Sequence, residues 1–158
     1  MVNSFIISNV YPLRQLFSTI LCYSQADFQP SATHKFMMDW ALSHFVFGRP
    51  KLDGFIREHA SLGAHTDIIE FQPGETTIFR WSHPGARPVG FHISKQCPAC
   101  GRLKTRKPMP NEDGTSVIFK CRVCRNRTIY TLPDGWNWTH GPAVMGDQGQ
   151  GAWMHYTE

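Results

Sequence analysis

Cys97-Pro98-Ala99-Cys100-Gly101 and Cys121-Arg122-Val123-Cys124 are two C-x-x-C knuckles separated by residues 101–120. Two residues between a pair of cysteines let one tight turn aim both sulfurs at the same ion. Two such turns at this separation match the spacing of a four-cysteine zinc site. Pro98 stiffens the first turn, and Gly101 frees the backbone where the chain turns back past the metal. The expectation is a zinc ribbon with Cys97, Cys100, Cys121 and Cys124 as ligands of one structural Zn²⁺. The competing readings of the same residues are two disulfides or four unrelated thiols. A closed four-sulfur site has no open position for water or substrate, so the motif marks a module and not an enzyme. The metal offsets the entropy of ordering a small, loop-rich unit.

Around the knuckles the ribbon builds itself from short strands. Leu103–Lys107 and Ser116–Lys120 can pair across Asn111-Glu112-Asp113-Gly114, and Thr128–Leu132 supplies a third antiparallel strand. The ribbon is placed at 91–132, after the Pro/Gly-punctuated stretch His83-Pro84-Gly85-Ala86-Arg87-Pro88.

Outward from it, residues 18–90 read as a small lobe. Residues 18–24 are β-prone. Ser31 or Thr33 can cap a helix running to Phe47, with Phe36, Met37, Trp40, Ala41, His44 and Phe47 on an apolar and mostly buried side. Leu52–Leu62 is a second helix ending at Gly63. Residues 66–71 and 76–81 form a hairpin across a Pro73-Gly74 turn. Residues 1–17 are weakly patterned, and 133–158 are a Gly- and Trp-rich tail with little periodicity. The expected class is therefore α+β: a partial α/β lobe of one strand, two helices and a hairpin, plus a three-stranded antiparallel zinc ribbon.

Charge divides the chain the same way. The 158 residues carry a net charge of +4, yet residues 95–127 hold nine Lys/Arg against Glu112 and Asp113, which is +7 and leaves −3 elsewhere. Clustered cations are the electrostatic footprint of a polyanion-binding face. Lys95, Arg102, Arg122 and Arg125 flank the knuckles and can simply offset the charge of four thiolates. Lys104, Arg106, Lys107, Lys120 and Arg127 lie further out and are the candidate contacts to nucleic acid or an acidic protein surface. Trp136 and Trp138, with Phe119 and Tyr130, could stack on bases. The alternative is that they cap the ribbon core. The eight histidines form no H-x-x-x-H pair, so no second metal site is signalled, and His59 and His65 read as helix-end or surface residues. Cys22 stands alone in a strand without an adjacent base. Four knuckle cysteines and one leftover suit a reducing, intracellular compartment, cytoplasm or nucleus. No stretch reads as a signal peptide or a membrane span.

Several strings recur together: Phe28-Gln29-Pro30-Ser31, Phe36-Met37-Met38-Asp39-Trp40, Leu62-Gly63-Ala64-His65-Thr66-Asp67-Ile68-Ile69, Trp81-Ser82-His83, Arg87-Pro88-Val89-Gly90 and Gln96-Cys97-Pro98-Ala99-Cys100-Gly101. In this order they resemble a large group of uncharacterised proteins from mushroom-forming fungi, over residues 17–155. Full-length members of that group carry an upstream part similar to a CHAT, or caspase-like, peptidase fold. The resemblance implies that residues 18–71 are the last strand–helix–helix–strand portion of such a domain, and that the chain is a truncated member. No Ala-Cys-Gly or Asp-x-Cys nucleophile motif is present, and Cys22 does not match the nucleophile, so no catalytic residue carries over. Only the four knuckle cysteines do. Two functions follow as expectations. One is a non-catalytic, zinc-stabilised binding module. The other is an inactive remnant of a caspase-like protein acting as a regulatory or interaction piece, which predicts a parallel α/β edge over 18–71 with an unpaired strand.

Overall fold

The computed structural model describes residue 13 and residues 16–25, 30–48, 51–142 and 151–158. Most of the weakly patterned 1–17 segment lies outside the described residues. The class is α+β, with one five-stranded and one three-stranded sheet. The chain divides into two compact units, residues 1–80 with 155–158, and residues 81–154.

The first unit holds β1 (Ile20–Tyr23), helix α1 (Pro30–Ala41) running into a π-helical turn at Leu42–Val46, and α2 (Leu52–Ile56). A 3₁₀ turn at Arg57–His59 and the short α3 (Ala60–Gly63) follow. β2 is Ile68–Gln72. β3 (Glu75–Ser82) returns antiparallel to β2 across Pro73-Gly74, where Gly74 takes a φ of 81° that the turn requires. The helix begins at Pro30, earlier than the Ser31 or Thr33 caps expected, because proline's fixed φ suits a first turn. The Thr33 hydroxyl instead donates back to the Pro30 carbonyl.

The apolar side of this helix departs further from expectation. Phe36 is fully buried, but Met37, Met38, Leu42, Phe45, Val46 and Phe47 are exposed. The π turn is the physical reason at its C-terminal end. A wider turn advances each residue by less than the α-helical angle, so the periodic stripe read from the sequence does not continue along one face. His59, expected at a helix end or surface, is buried between Phe36 and Phe55, with ring centroids at 5.2 and 4.6 Å. Burial pushes its pKa down.

β1 pairs antiparallel with β2, Cys22 facing Ile69 and Leu21 facing Glu70. A parallel edge over 18–71 is therefore not what forms. The pair is held at its end by side chain to backbone bonds: Asp67 N–H donates to Ser24 Oγ and Ser24 N–H to Thr66 Oγ1. Asp67, nearly buried, accepts from Arg80 Nε at 2.9 Å. Cys22 is half-buried in β1, and burial raises its thiol pKa, the opposite of what a nucleophile needs.

The five-stranded sheet has the order β1-β2-β3-β8-β7, with β7 at Asn137–Trp138 and β8 at Ala152–Thr157. The tail thus supplies two strands that residues 133–158 did not advertise. Trp153 and Met154 are adjacent and both buried, so β8 is covered on both faces and shows no alternation. β2 is buried on both faces for the same reason, from Ile68 to Phe71.

In the second unit the three-stranded sheet runs β4 (Arg106–Pro110), β5 (Ser116–Cys121), β6 (Arg127–Thr131), all antiparallel. β5 and β6 lie close to expectation. β4 starts three residues later than Leu103, because Leu103 is used in a bridge with Gln96 beside the first knuckle. β4 tolerates Pro108 and Pro110 because it is an edge strand. Val117, Phe119 and Cys121 point inward. There Phe119 and Tyr130 meet edge to face at 5.7 Å, Phe91 packs on Tyr130 at 5.8 Å, and the Arg106 guanidinium sits 4.9 Å from the Phe119 ring centre.

Glu70 is an anomaly in the first unit. It is 5 % exposed, and among the described residues its Oε1 has no hydrogen-bond partner. Burial raises its pKa, Asp53 and Glu75 add to the rise, and a hydrogen bond from Gln72 opposes it. A carboxyl whose folded pKa is raised stabilises fully below its unfolded value and loses that contribution as pH rises through the folded value. Glu70→Gln should therefore raise the thermal midpoint at pH 7.5, and the gain should vanish near pH 4, where Glu70 is itself protonated. Melting curves of both proteins across that range check this; a pH-independent difference would contradict it.

Candidate metal centre

The two knuckles fold as copies of one another. In the first, Gly101 N–H donates to Cys97 O at 2.8 Å, and Cys97 N–H donates to Arg102 O at 3.0 Å. In the second, Arg125 N–H donates to Cys121 O at 3.1 Å, and Cys121 N–H donates to Asn126 O at 2.9 Å. The residue after the second cysteine is left-handed in both, with φ of 69° at Gly101 and 64° at Arg125. Glycine holds that conformation freely. A residue with a Cβ holds it at a cost of about 1–2 kcal/mol. Lys104, where the chain leaves the first knuckle, is left-handed as well (φ 52°), and its N–H donates to Lys95 O.

These turns bring Cys97, Cys100, Cys121 and Cys124 together with all four sulfurs within 4.8 Å of one another. Cys97 Sγ is 3.7 Å from Cys124 Sγ, and Cys100 Sγ is 3.9 Å from Cys121 Sγ. A disulfide needs about 2.05 Å, so the two-disulfide reading fails and all five cysteines are free. A tetrahedron of sulfurs at about 2.3 Å from a central ion has edges of about 3.8 Å. The two separations of 3.7 and 3.9 Å match those edges, and the four sulfurs could together hold a four-coordinate metal. Cys97 and Cys121 are buried, while Cys100 and Cys124 face solvent. No histidine joins the group among the described residues; His92, five positions before Cys97, is not part of it.

The thiols are electrostatically unequal. Hydrogen bonds lower Cys121 to about 6: the Thr105 hydroxyl, 3.3 Å from its sulfur, acts most strongly, followed by backbone N–H groups of the knuckle. Backbone N–H groups of its own turn, Cys100 first, lower Cys97. At Cys124 the Asn126 N–H works downward, but burial and the three neighbouring sulfurs push the thiol up to about 11. Four sulfurs this close cannot all ionise without a cation among them. Thr105 is the residue that spacing does not reveal. It is placed by Arg122 N–H donating to its carbonyl at 2.9 Å, a contact between the two knuckles.

The outlying cations separate by strand parity. Lys107 lies opposite Lys120, and Lys120 opposite Arg127, so three cations form one row across β4, β5 and β6 on the outer face. Among the described residues none of the three has an ion-pair partner. Arg106, one residue from Lys107, lies on the inner face over Phe119 and donates to Tyr130 Oη at 3.4 Å. Lys104 belongs to the knuckle exit. Trp138 lies in β7 of the five-stranded sheet and Trp136 in the turn before it, both half-buried, so neither is in the ribbon sheet. Phe119 is buried.

Thr105→Val should weaken metal affinity by about 10–100-fold, the range for losing a partner of a ligand. Thr105→Ser should restore it. Competition with a chromophoric chelator measures both; equal affinity for all three proteins would remove Thr105 from the site.

Comparison with protein-family models, with curated proteins and with solved structures finds no match to this chain, so the arrangement of its own residues carries the functional reading.

Proposed function

We propose that the chain is a non-catalytic binding module, held in shape by one structural Zn²⁺ on Cys97, Cys100, Cys121 and Cys124, that contacts a polyanionic partner through its ribbon. The partner is a nucleic acid or an acidic protein surface. The observation that carries the reading is the unpaired row Lys107–Lys120–Arg127. Like charges directly opposite one another on neighbouring strands destabilise a sheet. A row of three without a carboxylate partner is costly to the isolated fold and is relieved by an anion on that face. Zinc is favoured by four soft sulfurs in a tetrahedron and by the absence of an open position for chemistry. Reduced thiols at this separation suit an intracellular compartment.

Elemental analysis of the purified full chain should find one zinc. Chelation should abolish amide-exchange protection across 106–131 and leave that of 68–72 largely intact. No metal, or protection unaffected by the chelator, would overturn the zinc ribbon. Binding to a mixed-sequence single-stranded oligonucleotide and to polyglutamate should weaken with salt. Three cations give a log–log slope of about −2 on the oligonucleotide. Lys107→Glu should lower affinity for both; a salt-independent signal would sink the ionic reading.

A further inference from the structure

The face that carries the cation row is not uniformly charged. The next residues outward on the same face are Met109, Ile118 and Ile129, themselves paired in register across the three strands. Met109 is 50 % and Ile129 61 % exposed. Beyond them Ser116 faces Thr131. The outer face is thus banded: a cationic row, an aliphatic row about 6.6 Å further along the strands, then a hydroxyl pair. Neighbouring side chains in each row are about 4.8 Å apart.

We infer that this face docks an acidic amphipathic segment of a partner protein, its carboxylates on Lys107, Lys120 and Arg127 and its apolar side chains on Met109, Ile118 and Ile129. The inference rests on the zinc-ribbon reading and narrows its partner. Charge complementarity selects an acidic occupant. The aliphatic row selects a protein over a nucleic acid, because bases stack on aromatic faces. The aromatic residues of this sheet, Phe119 and Tyr130, lie on the inner face, packed against each other. An aliphatic row gains from burial under other apolar side chains, and a methionine in it adapts to their shape.

Two further observations agree. On the open edge of β4, Pro108 and Pro110 present no N–H, so an added strand is disfavoured there and the face is the better surface. Lys107, Met109, Lys120, Cys121, Arg122 and Arg125 line a recess of about 320 Å³ at the second knuckle. Arg125 occupies the strained position that its counterpart fills with glycine. A side chain kept where the backbone disfavours it points to a use for that side chain, and here it extends the cationic row.

The test compares three probes on the full-length zinc-loaded protein by fluorescence anisotropy near physiological ionic strength. They are a synthetic peptide with Glu/Asp along one side and Leu/Phe along the other, polyglutamate of equal charge, and a single-stranded oligonucleotide of equal charge. The amphipathic peptide should bind at least about tenfold tighter than either, as expected for burying two aliphatic side chains. The double variant Met109→Ser/Ile129→Ser should erase that advantage and leave polyglutamate binding unchanged. Arg125→Gly should keep its zinc and bind the peptide more weakly. Zinc content and amide protection verify each fold, and Ile129→Asn serves if the double variant is unfolded. Equal binding of all three probes, insensitive to the aliphatic substitutions, would overturn the inference and leave the ionic reading standing. Tighter binding of the oligonucleotide would overturn it in favour of a nucleic-acid face. No binding of any probe would remove both.

Discussion

Four sulfurs within 4.8 Å of one another are the constraint on which the ribbon depends. Thiols at that distance interfere with each other's ionisation. Hydrogen bonds settle negative charge first on Cys121 and Cys97, and the same proximity holds Cys124 in its protonated form. A divalent cation at the centre reverses the sign of the interaction, so that proximity stabilises the thiolates. Behind the knuckles the sheet offers buried Val117, Phe119 and Val89, a small core for three short strands, with Tyr130 and the exposed Phe91 at its margin.

The four-cysteine cluster also fixes which way the residues of the three-stranded sheet point. Cys121 ends β5 and must face inward. Phe119 and Val117 then share its side, and Lys120, Ile118 and Ser116 take the other, because side chains alternate along a strand. Register carries the parity to β4 and β6. Arg106 and Lys107 are consecutive cations with opposite roles for this reason alone: one is spent on a cation–π contact inside, the other stands on the outer face.

Legibility in the sequence followed the same physics. C-x-x-C spacing is a local constraint, so the clustering of the four cysteines, the second strand of the hairpin between the knuckles and the third strand could be read directly. What depended on long-range pairing could not. β8 carries no period because Trp153 and Met154 are buried side by side. The antiparallel sense of β1 and β2 is decided by the path of the intervening helices, which composition does not encode. Helix α1 was visible as a helix, but its π turn moved Phe47 out of the expected buried stripe. The sorting of cations between faces was available in principle, by counting parity back from Cys121. Charge alone treated Arg106 and Lys107 as equals.

The two knuckles differ at one informative place. Both close with the same pair of backbone hydrogen bonds and both require a left-handed residue next. At Gly101 the sequence takes the unstrained solution. At Arg125 it takes a strained one, on the knuckle that adjoins the cationic row. If holding metal were the whole purpose, glycine would serve equally well at both. The strained choice falls on the second knuckle, where the four-cysteine cluster and the outer face of β5 meet.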